Sequence, residues 1–199
     1  MSTVALLFQT GYLTIESWRR IAATAQYRLR YPNKEVRSSL TGAMLNYLRP
    51  QGAQTAATAP FTLYDHLVAG NLDGARTFTQ AMFSGTPTDW HRRNTIGDYE
   101  GYYASVFYAS FASLPLDVTT EDASSTGRLD MAVHVAAQTY LFEFKVVETE
   151  PQGDALQQIK DRRYADKYLG TDTTIHLVGI ELSRTTRNIV AFDTETLTP

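Results

Sequence analysis

Asp130, Glu143 and Lys145 are the residues whose types and spacing point most directly to chemistry. Leu129, Met131, Val133 and Val135 recur at every second position, as do Tyr140, Phe142, Phe144 and Val146, so each run reads as a strand. The short connection from Ala136 to Thr139 joins the two runs as a hairpin. Because side chains alternate between faces, Asp130 points away from Leu129 and Met131, while Glu143 and Lys145 point away from Phe142 and Phe144. A turn centred between Ala137 and Gln138 sets Asp130 against Lys145; one centred between Ala136 and Ala137 sets it against Glu143. Either register gathers the three charges on one face, where apolar Ala132 and Leu141 adjoin them and imply a partly covered place. Two neighbouring carboxylates repel each other, and an oxygen-seeking cation such as Mg2+ removes that penalty. A nearby lysine can orient an attacking water and offset charge developing on a phosphate. These are the parts of metal-assisted phosphodiester hydrolysis.

The elements that must carry this hairpin divide the chain in two. Residues 1–98 read as mainly helical: Leu6, Leu7, Phe8, Tyr12 and Leu13 lead into 14–18, and Val36, Leu40, Met44, Leu45 and Leu48 fall at helical spacing. Pro32 to Glu35 reads as a turn and helix start, and two short helices are expected over 61–67 and 72–83, separated by Gly70 and Asn71. Loops are expected over 49–60 and between Ser84 and Asp98. Tyr99, Tyr102, Tyr103, Val106 and Phe107 mark a further helix, capped by Asp98 and ending near Leu114. After the hairpin, 152–168 return to helix, and 174–182 and 188–192 close the chain as strands.

Composition removes several classes of function. The 199 residues are 43% hydrophobic and 20% charged, a globular balance rather than a disordered one. Cysteine is absent, which removes disulfides, a cysteine nucleophile, zinc fingers and iron–sulfur clusters, and suits a reducing cytoplasm. The short apolar run Val4 to Phe8 lacks the basic flank of a signal peptide, and no stretch is long enough to span a bilayer. His66, His91, His134 and His176 are widely separated and show no ligand spacing. Residues 1–98 hold 10 Lys and Arg against 6 Asp and Glu, whereas 99–199 hold 8 against 15. An acidic half argues against a protein that coats nucleic acid, yet it suits a site that gathers carboxylates for a metal.

The segment Gly127-Arg128-Leu129-Asp130 followed by Glu143-Phe144-Lys145 resembles the Asp and Glu-x-Lys signature of the PD-(D/E)XK nuclease superfamily. Further runs, Leu6 to Leu13, Pro32 to Arg37, Tyr140 to Lys145, Gln158-Ile159 and Tyr164 to Tyr168, look like the nuclease-like region found C-terminal to AAA-ATPase-like domains in many prokaryotic proteins. That resemblance implies an α/β, restriction-endonuclease-like mixed sheet flanked by helices, with a helical region over 1–95 and the nuclease-like domain over 96–199. It implies Mg2+ or Mn2+ held by Asp130, Glu143 and the backbone carbonyl of Phe144, with Lys145 as the catalytic lysine. Glu100 and Gln158 correspond to residues that complete or border such sites. The implied partner is nucleic acid, DNA before RNA, with an ATPase subunit or domain as a second partner; from their own charge and position Arg128, beside the site, and Lys160 and Arg163, in a basic run, are candidate nucleic-acid contacts, as is Tyr164. No G-x-x-x-x-G-K-[ST] loop occurs, so ATP hydrolysis by these residues themselves is not expected. The competing expectation is a nuclease-fold module that binds nucleic acid or protein with little turnover, the charged trio then being a cross-strand salt bridge.

Overall fold

The computed structural model describes residues 2–48, 59–84, 107–114, 116–186 and 188–198. In chain order the elements are α1 (Thr3–Gln9), β1 (Thr14–Ile21), β2 (Thr24–Arg30), α2 (Lys34–Leu48), α3 (Ala59–Val68), α4 (Leu72–Ser84), a helical segment α5 (107–112), β3 (Asp117–Ser124), β4 (Gly127–Val135), β5 (Gln138–Val147), α6 (Asp154–Asp161), a 3-10 turn (Tyr164–Tyr168), β6 (Thr174–Ser183) and β7 (Ile189–Leu197). The loop expected over 49–60 lies almost wholly outside the described residues, as do the boundary near 95, Asp98 and Glu100. No described helix is long and apolar enough to cross a membrane.

A five-stranded sheet in the order β3-β4-β5-β6-β7 forms the centre. Every neighbouring pair is antiparallel except β5 and β6, which run parallel. Parallel neighbours need a crossover, and α6 supplies it. β5 and β6 are buried along nearly their whole length, as central strands covered on both faces must be. On one face Tyr140, Phe142, Phe144, Val178 and Ile180 pack with Leu63 and Leu67 of α3, Phe83 of α4, and Phe107 and Phe111 of α5. On the other, Ala132, Leu141 and Leu177 pack with Ile159 of α6 and with Tyr164 and Ala165. Residues 59–84 therefore share the core of the sheet: the Tyr140 hydroxyl donates to the Leu67 carbonyl at 2.6 Å, and Arg76 donates to that of Phe192.

Helix starts follow local chemistry. Asn33 accepts from the Val36 amide at 2.8 Å to open α2, and Asn71 accepts from Gly74 at 2.9 Å to open α4. Four elements depart from the sequence reading. Residues 14–30, read as part of a helical region, form an antiparallel hairpin that pairs Trp18 with Tyr27 and turns on Ala22-Ala23, with Ala22 at φ 52°. β3 had no counterpart among the expected strands, because its sequence is polar and it is the exposed edge, where charged residues discourage further pairing. The helix expected over 152–168 breaks at Arg163, whose φ of 52° turns the chain into the 3-10 segment. Leu129, expected beside Met131, packs in the α6 layer instead, because strict alternation does not carry across Asp130, which stands outside the paired ladders on both sides.

Candidate active site

The hairpin register settles which charges meet. Val135 pairs with Gln138 and Met131 with Phe142, so the turn is centred between Ala136 and Ala137, and that register, carried one residue past the end of the ladder, sets Asp130 against Glu143. Ala136 accepts a left-handed backbone, φ 50°, to make this two-residue turn. The β4–β5 ladder ends at Met131, and there a side chain replaces the backbone acceptor: Asp130 Oδ2 accepts from the Phe144 amide at 2.9 Å. That bond ties the carboxylate of one strand to the residue between Glu143 and Lys145 on the next.

Glu143 is 2% exposed. One carboxyl oxygen, Oε1, accepts from Lys145 Nζ at 3.4 Å and from the Gln158 side-chain amide. The other, Oε2, is buried and has no hydrogen-bond partner among the described residues. Loss of water pushes the Glu143 carboxyl up to about 7; the nearby Asp130 charge adds to the rise, and the Lys145 ammonium and a hydrogen bond from the Asp130 backbone oppose it. Lys145 keeps its side chain 29% exposed, so the ammonium reaches from the covered carboxylates toward solvent.

Gln158 reaches Glu143 because α6 lies close on the sheet. Gly179 of β6 is the register partner of Glu143, and a Cβ there would stand 2.7 Å from Leu156 Cα of α6. Two positions along, Glu181 pairs in register with Lys145 and is 1% exposed. Its carboxylate accepts from the backbone amides of Gln152 at 2.5 Å, Asp154 at 2.7 Å and Ala155 at 3.4 Å, at the start of α6. Neither Gly179 nor Glu181 was singled out by sequence reasoning. The available signals were a glycine inside an apolar strand and a lone acid between Ile180 and Leu182.

Asp130, Glu143, Lys145, Phe144 and Gln158 are thus brought together. Glu100 lies outside the described residues. The candidate nucleic-acid residues are placed differently: Arg128 pairs with Glu121 at 2.9 Å, Lys160 with Glu195 at 2.7 Å and Arg163 with Asp166 at 2.8 Å. Tyr164 is buried, and its hydroxyl donates to the Arg128 carbonyl at 2.9 Å, so its side chain packs the fold rather than presenting a surface.

Among the described residues no three His, Asp or Glu side chains converge as a ready-made metal cage. The donor set nevertheless fits a hard cation: two carboxylates on adjacent strands, one holding a buried oxygen, Oε2, with no hydrogen-bond partner among the described residues.

Residues 98–192 match the sequence profile of the PD-(D/E)XK nuclease superfamily. This carboxy-terminal region belongs to that superfamily. The mixed five-stranded sheet flanked by helices is the restriction-endonuclease-like fold of the superfamily. Over 197 residues the chain is also 52% identical to a protein of Azotobacter chroococcum mcd 1 described as an uncharacterized protein in the vnfD 5' region. That alignment covers 99% of this chain and 38% of the relative, so the chain spans well under half the relative's length. No solved structure matches the chain.

Proposed function

We propose that this chain carries a divalent-metal-dependent nuclease site that hydrolyses phosphodiester bonds, with DNA as its substrate. The observation that carries the reading is the Glu143 carboxyl, buried beside Asp130 with Oε2 unsatisfied and touched on its other oxygen by Lys145 and Gln158. A buried acid without a partner is costly, and a cation shared with Asp130 offsets that cost. Asp130, Glu143 and the Phe144 carbonyl are the proposed ligands of Mg2+ or Mn2+. When bound, such an ion supplies an acidified water and a polarised phosphoryl oxygen. Lys145, partly in solvent, is suited to orient the attacking water and to offset charge developing on the phosphate. Gln158 donates to Glu143 and holds its carboxyl in place. Arg128, Lys160 and Arg163 hold only exposed ion pairs, which are weak enough to be exchanged for phosphate contacts. An ATPase region or subunit is the proposed second partner, a reading that rests on the resemblance of the sequence to regions found C-terminal to AAA-ATPase-like domains.

The test is Mn2+- and Mg2+-dependent cleavage of supercoiled and linear DNA, with RNA as comparator, by the parent chain, Asp130→Ala and Lys145→Ala. Metal-dependent cleavage by the parent is expected to vanish in both variants, while their circular dichroism spectra remain those of the parent. Cleavage that survives either substitution refutes the mechanism, and Mn2+ binding without any cleavage assigns the fold to a binding module.

A further inference from the structure

Helix α6 has an unusual start. Its N-cap is Gly153, at φ 78°, which offers no side chain to the amides that open the helix. The first amides of any helix have no partner within it, and a start packed against a sheet cannot leave them to water. Here the acceptor comes from the sheet: Glu181 Oε1 takes the Asp154 and Ala155 amides, and Oε2 takes Gln152. A carboxylate at this end also complements the partial positive charge of the helix N-terminus. Glu181 is thereby satisfied at both oxygens, in contrast with Glu143 two strand positions away on the neighbouring strand.

Gln158 stands one helical turn beyond Asp154, on the same side of α6. The site contact between Gln158 and Glu143 therefore depends on where the first turn of α6 is fastened. Gly179 sets how near the helix lies, and Glu181 sets its position along the sheet. We infer that Glu181 is a positioning residue for the acidic pair, fastening α6 so that Gln158 meets Glu143. The inference rests on the proposed metal site only for its Mn2+ measurement.

The experiment compares the whole parent chain with Gln158→Ala, Glu181→Gln and the double variant. The side-chain amide introduced by Glu181→Gln would keep one acceptor oxygen and turn an NH2 group toward backbone donors, so the cap loses part of its bonds. Two readouts are taken: the side-chain amide resonance of Gln158 in nitrogen-15 spectra, assigned by its loss in Gln158→Ala, and Mn2+ affinity by calorimetry. In Glu181→Gln the Gln158 resonance is expected to move toward that of a solvated glutamine. Mn2+ affinity is expected to fall about 10- to 100-fold in either single variant, and no further in the double. A purely structural Glu181 would lower thermal stability and leave the Gln158 resonance in place. A purely electrostatic one would give losses that multiply in the double variant. Either result overturns the inference. Should Glu181→Gln fail to fold, hydrogen exchange in the parent decides: protection of the Gln152, Asp154 and Ala155 amides matching that of β6 supports the cap, and loop-like exchange overturns it. A parent that binds no Mn2+ defeats the nuclease reading while the Gln158 resonance still reports on Glu181.

Discussion

Replacing Glu143 by glutamine separates the cost of the buried acid from its use. In the folded chain its carboxyl is pushed up to about 7 from an ordinary 4.5, chiefly by loss of water. A raised acid favours folding only in its neutral form. The penalty is absent below the unfolded value, grows between about 4.5 and 7, and is complete above 7. At 1.36 kcal/mol per pH unit the full penalty is about 3 kcal/mol. Glutamine keeps an acceptor for Lys145 and Gln158, sheds the charge, and relieves the repulsion from Asp130. Glu143→Gln is therefore expected to be about 1 to 3 kcal/mol more stable than the parent at pH 8, with the gain gone at pH 4. The assay is urea unfolding at both pH values with a chelator present, because a cation bound only to the native parent would mask the difference. A parent as stable as, or more stable than, Glu143→Gln at pH 8 would refute the claim that a cation has an electrostatic cost to relieve here.

The same carboxyl must shed its proton before it can ligate. Mn2+ affinity is thus expected to rise about tenfold per pH unit below pH 7 and to level above it, with proton release seen by calorimetry in buffers of different ionisation enthalpy. Gly179→Ala would drive a methyl group into the Leu156 backbone, lifting α6 from the sheet; a stability loss of about 1 to 3 kcal/mol is expected in urea unfolding, together with weakened Mn2+ binding. Tyr140→Phe removes a buried hydrogen bond on the opposite face of the sheet, so about 1 kcal/mol of stability should be lost with Mn2+ affinity unchanged.

The pattern of hydrophobic residues carried much of this protein in plain view. Alternation in 129–146 located β4 and β5, and helical spacing located α2, α3 and α4, because burial on one face leaves a period in the chain. Where burial was slight, the period failed: β1, β2 and β3 are largely exposed, so nothing compelled their residues to alternate. Turn chemistry was silent too. The turns that follow β1 and β4 are both Ala-Ala, with Ala22 and Ala136 in the left-handed region, where glycine or asparagine would have announced the turn.

For the site, alternation in the sequence put Glu143 and Lys145 on one strand face and pointed to Asp130 as their neighbour, although the strict period it relied on breaks at Asp130, with Leu129 and Met131 packing on opposite faces of the sheet. Alternation left open whether Asp130 opposes Glu143 or Lys145, because a shift of the turn by one residue at its centre exchanges the partners. Tertiary structure decided that question through the pairing of Val135 with Gln138. It also decided what no local pattern contains: the approach of α6 over Gly179, the cap from Glu181, and the contact of Gln158 with Glu143. Those contacts join residues distant in the chain across a parallel crossover. The free energy that orders them comes from packing a helix on a sheet, and only the assembled layers specify it.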